Sequence, residues 1–351
     1  MIFKNCTVNG VLTDICACDG KIEKIGKTPG NGFDLHGAKV FPGLIDVHTH
    51  GCLGFDTMDG DRFEEMSVFL AKNGVTGFLP TTMTMDMEKI KSVVNADLPQ
   101  TSGAQVIGFH LEGPYISKNR KGAQNERFIK NPDVAEFNEL KNIKMVTLAP
   151  ELPGSLDFID KCDAVVSVGH TDATYEESVD AIKHGAKCLT HTFNAMPGLH
   201  HRDPGPVGAA IDKDIYVQVI CDGLHIHESV IKMLYRTFTS DRMILISDSM
   251  RATGLADGEY EFGGQQVIVK NSVARTKDGA IAGSTSTLLQ CVKKAIEFGI
   301  PEADVFKMAS ETPARLIGLN KGKITEGYDC DFIVVDEKYN VLTCVIAGEI
   351  I

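Results

Sequence analysis

The sequence predicts an α/β protein built as a (β/α)8 barrel, with a small β-sandwich assembled from both chain termini. Three observations carry that expectation. Eight apolar runs of strand length recur through the middle of the 351-residue chain, stretches of helical periodicity separate most of them, and both ends instead alternate apolar and polar residues around Gly-rich turns. The predicted boundaries are 1–44 plus 322–351 for the small domain and 45–321 for the barrel.

At the N-terminal end, MIFKNCTVNG and VLTDICACDGKIEKIG read as strands, with Asp19-Gly20 as a hairpin turn between two alternating stretches. The other end, GKITEGYDCDFIVVDEKYNVLTCVIAGEII, repeats the alternation. Chain ends often lie close together, so the two segments are expected to pair. The strand runs of the middle are VFPGLIDVH, GFLPTT, VIGFHLE, KMVTLAP, VVSVGH, CLTHTF, YVQVICD and MILISD. Between them DRFEEMSVFLAKNG, DMEKIKSVVNA, TYEESVDAIKHG and HESVIKMLYRTF carry polar or acidic residues near their starts, and several close on Gly or Asn, as helices do. An open dinucleotide-binding sheet would need a GxGxxG turn, which the chain lacks.

Composition bounds the function. With 43% hydrophobic and 23% charged residues the chain reads as soluble and globular, and no apolar run approaches the ~18 residues of a membrane span. The formal net charge of −12 opposes non-specific attraction to nucleic acid or anionic lipid. An anionic substrate therefore needs a local basic pocket. MIFKNCTVNG has no basic segment followed by an apolar stretch, so the cytoplasm is the expected location. Ten cysteines without a CxxC pair read as free thiols.

In a barrel, chemistry sits where the strands end. The first run ends Asp46-Val-His48-Thr-His50, the third His110-Leu-Glu112, the fifth Gly169-His170, the sixth Thr190-His191 and the eighth Ser247-Asp248. Period-two alternation puts His48 and His50 on one face, His170 with Val166 and Val168, His191 with Leu189, and Asp248 with Ile244 and Ile246. Alone, a strand-end His or Asp is usually a hydrogen-bonded structural residue or a cap. Together, four His, one Glu and one Asp at one rim make a ligand set suited to one or two divalent transition metals.

FPGLIDVHTHG, with the distant ETPARLIGL and GKITEGYDCDFIVVD, resembles the amidohydrolase superfamily of metal-dependent (β/α)8 hydrolases, whose small sandwich domain the β-rich termini fit. More narrowly, GFHLEGPYIS, KGAQN, VSVGHTDATYEE, THTFNAMPGLHHRDPGPVGAA, CDGLHIHES and LISDSMRATG resemble, in order along nearly the whole chain, the family of N-acetylglucosamine-6-phosphate deacetylases. HLEGP and HTFNAM are specific to that family, whereas HTHG alone indicates the superfamily.

The resemblance implies roles. Glu112, His170 and His191 match the core metal ligands, and His48 and His50 match the pair that completes a second site, with Glu112 as the bridging carboxylate. One or two divalent ions per subunit are implied, with Zn, Fe, Mn and Co all open. Asp248 matches the general base, with a metal ligand as its further role. Ala123, Gln124, Asn194, Ala195 and His225 match substrate contacts, Ala195 through its backbone. Gln124 departs from relatives that carry His there. Its amide can hydrogen-bond the substrate, but it offers no imidazolium. Arg202 is the leading phosphate ligand, and phosphate contacts in this family can cross a dimer interface. A homodimer with shared sites is thus expected.

Chemistry and resemblance agree on hydrolysis of the acetamide of a phosphorylated N-acetyl amino sugar, N-acetylglucosamine 6-phosphate, with Asp248 carrying a proton from water to the departing amine. The galactosamine isomer and other amidohydrolase reactions are alternatives. Cyclic-amide hydrolases place a bridging Lys at the end of the fourth strand, whereas Lys144 stands at its start. A retired barrel acting as a sugar-phosphate sensor should have lost a ligand or the base. Tyr115 to Arg127 reads as a basic lid, Asp222 and Gly223 as the turn presenting His225, Ser284 to Thr287 as helix caps, and His200 and His201 as surface or interface residues.

Overall fold

A computed structural model describes residues 1–277 and 279–351. The eight middle runs form strands numbered here β1 (Leu44–Thr49), β2 (Val75–Pro80), β3 (Phe109–Glu112), β4 (Ile143–Leu148), β5 (Val165–Val168), β6 (Cys188–Leu189), β7 (Tyr216–Ile220) and β8 (Met243–Ile246). From β3 to β8 each strand pairs in parallel with the next. β1 and β2 form a second parallel sheet with the short strand Gln105–Val106. Single parallel bridges join the two sheets on both flanks, Thr81 to His110 and Thr49 to Ser249. The result is one curled parallel wall.

Alternation along these strands feeds two apolar layers. Val146, Leu148, Val166, Val168, Leu189, Val217 and Leu245 pack with helix residues such as Leu70, Phe158 and Leu234. Met145, Cys188, Ile220, Ile244 and Ile246 meet on the opposite face. Several helices begin where the sequence offers caps. Thr174 and Glu177 form a reciprocal capping box at Tyr175–His184, Thr287 and Gln290 do so at Leu288–Glu297, and Asp86 caps Met87–Val94. No helix among the described residues is long and apolar enough to cross a membrane.

Both chain ends enter a single eight-stranded sheet, in which Lys39–Pro42 runs antiparallel to Phe332–Val335. The Asp19-Gly20 hairpin turn is present, with φ of +48° and +75° at its two residues, the left-handed pair a two-residue turn of this kind requires. Phe3 meets Phe332 edge to face at 4.9 Å, so the small core contains residues from both ends. Buried Lys321 ties this sheet to the middle of the chain, its Nζ reaching Asp331 at 2.6 Å, Asp329 at 2.7 Å and Gln105 Oε1 at 2.7 Å.

Several elements went unpredicted, among them Ser155–Lys161, Glu302–Met308 and Glu311–Leu316, and two more lie next to strand ends of the site. Helix Gly205–Lys213 follows β6, and a three-stranded antiparallel sheet, Gly258–Phe262, Gln265–Lys270 and Val273–Thr276, follows β8. The second had a legible signal, since Gly263-Gly264 separates two alternating stretches and pairs Phe262 with Gln265 across a two-residue turn.

Candidate metal centre and its cavity

Five strand ends deliver six side chains to one point. His48 and His50 come from β1 and Glu112 from β3. His170, His191 and Asp248 each stand two residues past β5, β6 and β8, with φ of +47°, +27° and +48°. That backbone corrects the alternation argument. Val166, Val168 and Leu189 face the helices, so simple alternation would send His170 and His191 there too. A left-handed residue at each position turns the side chain back to the opposite face.

The imidazoles converge through Nε2. Glu112 Oε1 lies 3.3 Å from His48, 3.2 Å from His170 and 3.1 Å from His191, while Glu112 Oε2 lies 3.3 Å from His50. Asp248 Oδ1 is 3.4 Å from His48 and 3.3 Å from His50. The outward ring nitrogens explain the orientation. His48 Nδ1 meets Gln218 Oε1 at 3.1 Å, His50 Nδ1 the carbonyl of Thr81 at 3.1 Å, and His170 Nδ1 the carbonyl of Arg120 at 2.8 Å. Each of those oxygens requires a donor, which places the proton on Nδ1 and the lone pair of Nε2 toward the centre.

This donor set fits a metal. Nε2 atoms of His48 and His50 approach to 3.3 Å, and those of His170 and His191 to 3.1 Å. Lone pairs so close repel unless something positive lies between them. Around a tetrahedral ion with bonds of about 2.0–2.1 Å, donors stand ~3.3 Å apart. Two groups meet the spacing, His48–His50–Glu112 and Glu112–His170–His191, and Glu112 belongs to both. Burial disfavours charge on Glu112 and Asp248, yet the neighbouring imidazoles hold Glu112 well below the usual carboxylate range and Asp248 at about 2. Burial likewise opposes charge on His50, but Asp248 and Glu112 push it up to about 10. A divalent ion among these nitrogens and carboxylate oxygens would supply the positive charge that holds them together.

Above the centre lies a cavity of about 390 Å³, the size of a small-molecule site. His50, Glu112, Ala123, Gln124, His170, His191, Asn194, Ala195, His225 and Asp248 all border it. His48 lies fully buried. Gln124 donates Nε2–H to Glu112 Oε2 at 2.6 Å and accepts from Thr84 N at 2.7 Å. His225 is held by Asp222, whose carboxylate meets its ring Nδ1 at 2.7 Å and accepts from its backbone N at 2.9 Å. Gly122, at φ +55°, brings the basic segment against the metal site, since a Cβ there would sit 3.4 Å from the His170 ring.

Arg202 is not brought to this cavity. It is exposed, beside His200 and His201, with Nη1 2.8 Å from His201 Nε2. Lys144 is exposed at the start of β4, and Thr287 is a helix cap. Sequence reasoning missed Phe262, Ala280, Ile281 and Gly283 on the cavity wall and Gln218 beneath it, and gave no role to Asp46 and His110, which it had named at strand ends. Gln218 could have been found as the one polar residue inside the apolar run YVQVI.

The fold and the site together define an α/β protein with a buried carboxylate-histidine set, spaced for a metal ion, at the ends of parallel strands. The amidohydrolase family matches residues 40–351, and the chain belongs to that family. It is 38% identical to an N-acetylglucosamine-6-phosphate deacetylase of Lysinibacillus sphaericus, over 96% of this chain and 92% of the relative. An N-acetylgalactosamine-6-phosphate deacetylase of Escherichia coli O157:H7 is 33% identical over 98% and 96%. Among solved structures, an aspartate-to-alanine mutant of N-acetyl-D-glucosamine-6-phosphate deacetylase from Mycobacterium smegmatis, in complex with N-acetyl-D-glucosamine-6-phosphate, superposes with a TM-score of 0.91 at 29% identity, over 100% of this chain and 98% of that one.

Proposed function

We propose that this chain hydrolyses the acetamide of N-acetyl-D-glucosamine 6-phosphate to D-glucosamine 6-phosphate and acetate. The observation that carries the reading is completeness: both ligand groups and an acidic Asp248 face one small-molecule cavity, in a chain 38% identical to an enzyme of that name. A sensor without chemistry has no need of such a set.

Glu112, His170 and His191 would hold the core ion, and His48 and His50 with Glu112 would hold a second. A divalent ion in such a set acidifies water toward neutrality and polarises a carbonyl. Asp248 borders the cavity and touches the His48–His50 pair, so its carboxylate is placed to take a proton from the attacking water and return it to the amine as the C–N bond breaks. Ala123, Gln124, Asn194, Ala195 and His225 orient the sugar.

The fold that carries this chemistry is read as a closed (β/α)8 barrel over 45–321, with 1–44 plus 322–351 as the small sandwich domain. The enzyme acts in the cytoplasm as a homodimer. Exposed Leu199, three residues before Arg202, and exposed Leu224 suit burial against a second copy, which would receive Arg202 as a phosphate ligand. The galactosamine isomer is the second reading, favoured by the Escherichia coli relative.

Acetate release by metal-loaded protein from N-acetylglucosamine 6-phosphate, its galactosamine isomer and unphosphorylated N-acetylglucosamine tests the proposal. The first is expected to be the best substrate. Preference for the second would install the alternative, and release from none would defeat both.

A further inference from the structure

We infer that Arg120, from the same subunit, reads the anionic group of the substrate and so sets specificity for a phosphorylated sugar; this rests on the function proposed above. The starting point is charge. The chain carries −12 overall, and the cavity floor is built of Glu112, Asp248 and imidazoles. Among the described residues that border the cavity, Arg120 is the one Lys or Arg.

Its position is fixed at two points. The backbone carbonyl of Arg120 accepts from His170 Nδ1 at 2.8 Å, and its side chain places Nε 2.8 Å from Asp172 Oδ1. Asp172 also receives Asn119 Nδ2 at 3.3 Å. A guanidinium held through Nε still presents its two terminal nitrogens, the fork that matches a phosphate. The pair is about 40% exposed on both sides, 39% and 38%, so it faces the mouth of the cavity.

The neighbouring donors leave room for such a cation. Thr171, next to Asp172, donates its N–H to the carbonyl of Ala195 at 3.1 Å, which places Arg120 and the Asn194–Ala195 turn in one sector of the rim. Asn194 directs its amide hydrogens to the carbonyls of His191 at 3.0 Å and Thr192 at 3.4 Å. A dianion in this sector therefore has weak support from Asn194 and needs another partner. Arg202 is exposed and outside this cavity, so Arg120 is the cation that each subunit supplies to itself.

The test compares metal-loaded wild type, Arg120→Met and Arg120→Lys by calorimetric binding of D-glucosamine 6-phosphate and of D-glucosamine, alongside acetate release. The preference for the phosphorylated sugar is expected to fall about tenfold to a hundredfold in Arg120→Met, as for loss of a charge-assisted contact, with partial recovery in Arg120→Lys. The same loss should appear in KM more than in kcat. Metal content should equal that of wild type, because the bond to His170 uses the backbone carbonyl. An unchanged preference in Arg120→Met at full metal content overturns the inference, as does a wild type with no preference. Absence of acetate from any wild-type incubation instead overturns the functional reading, while the binding ratio still decides the role of Arg120.

Discussion

His170, His191 and Asp248 adopt a backbone region that non-glycine residues avoid, at a cost of order 1–3 kcal/mol each. A glycine would relax the turn and lose the side chain, so the conformation marks positions where chemistry overrides comfort. Asp248→Asn keeps size and placement but accepts no proton. Turnover is expected to fall on the order of 10²–10⁴-fold with metal retained, read by steady-state kinetics beside elemental analysis. Gln218→Leu removes the oxygen that fixes the His48 tautomer, and roughly tenfold to hundredfold weaker binding at the second site is expected in a metal titration. The ligand types were legible because strand ends concentrate function. Their aim was not, because a single left-handed φ reverses the face that alternation assigns, and no local residue type announces it. Gln218 stayed hidden, and His110 stayed without a role, for another reason, since a polar residue within a strand discloses its partner only once strands far apart in the chain are neighbours.

At the scale of elements, periodicity and caps were enough wherever a helix began on a Thr or Asp cap, as at Tyr175–His184 and Met87–Val94. They failed at Gly205–Lys213, whose start is Pro-Gly rather than a side-chain cap. The antiparallel strands after β8 were overlooked because a barrel pattern leads one to look for a helix there. Beside apolar packing such as Phe41 on Phe306, Lys321 makes a buried polar link between the terminal sheet and the rest. Burial works against its charge, but Asp331 and Asp329 raise its pKa above the ordinary 10.5. A lysine raised on folding contributes stability below the unfolded value and loses it as pH climbs past its folded one, so this contribution fades only above about 10.5. Lys321→Met would strand Asp331 in the interior. A loss of about 3 kcal/mol in urea unfolding at neutral pH is expected, with recovery on adding Asp331→Asn. No loss would mean that water replaces the ammonium.

At the scale of the molecule, a chain that repels anions at long range accepts one through a few local cations. On the proposals above, Arg120 would serve its own subunit and exposed Arg202 would serve a neighbour. Mixing Arg202→Ala with Asp248→Asn protein under exchanging conditions should restore part of the activity, since one site of each mixed dimer holds both intact residues. No recovery despite demonstrated exchange would remove Arg202 from the partner's site. Intersubunit geometry of this kind is absent from a single sequence, which records the arginine but not the surface that receives it.

The bond from the His170 ring to the Arg120 carbonyl has a consequence for proteolysis. The same imidazole faces the metal with one nitrogen and pins the 117–127 segment with the other, and that segment carries cleavage points for trypsin at Lys118, Arg120, Lys121 and Arg127. If a bound ion fixes the ring, stripping it would free the ring to turn and release the segment. Chelator-treated protein should be nicked there faster than metal-loaded protein, with fragment masses near the first third of the chain, and restoring the ion should slow the cut. A protease would then report metal occupancy without any substrate, whereas equal rates would mean that the segment is held by its own turns.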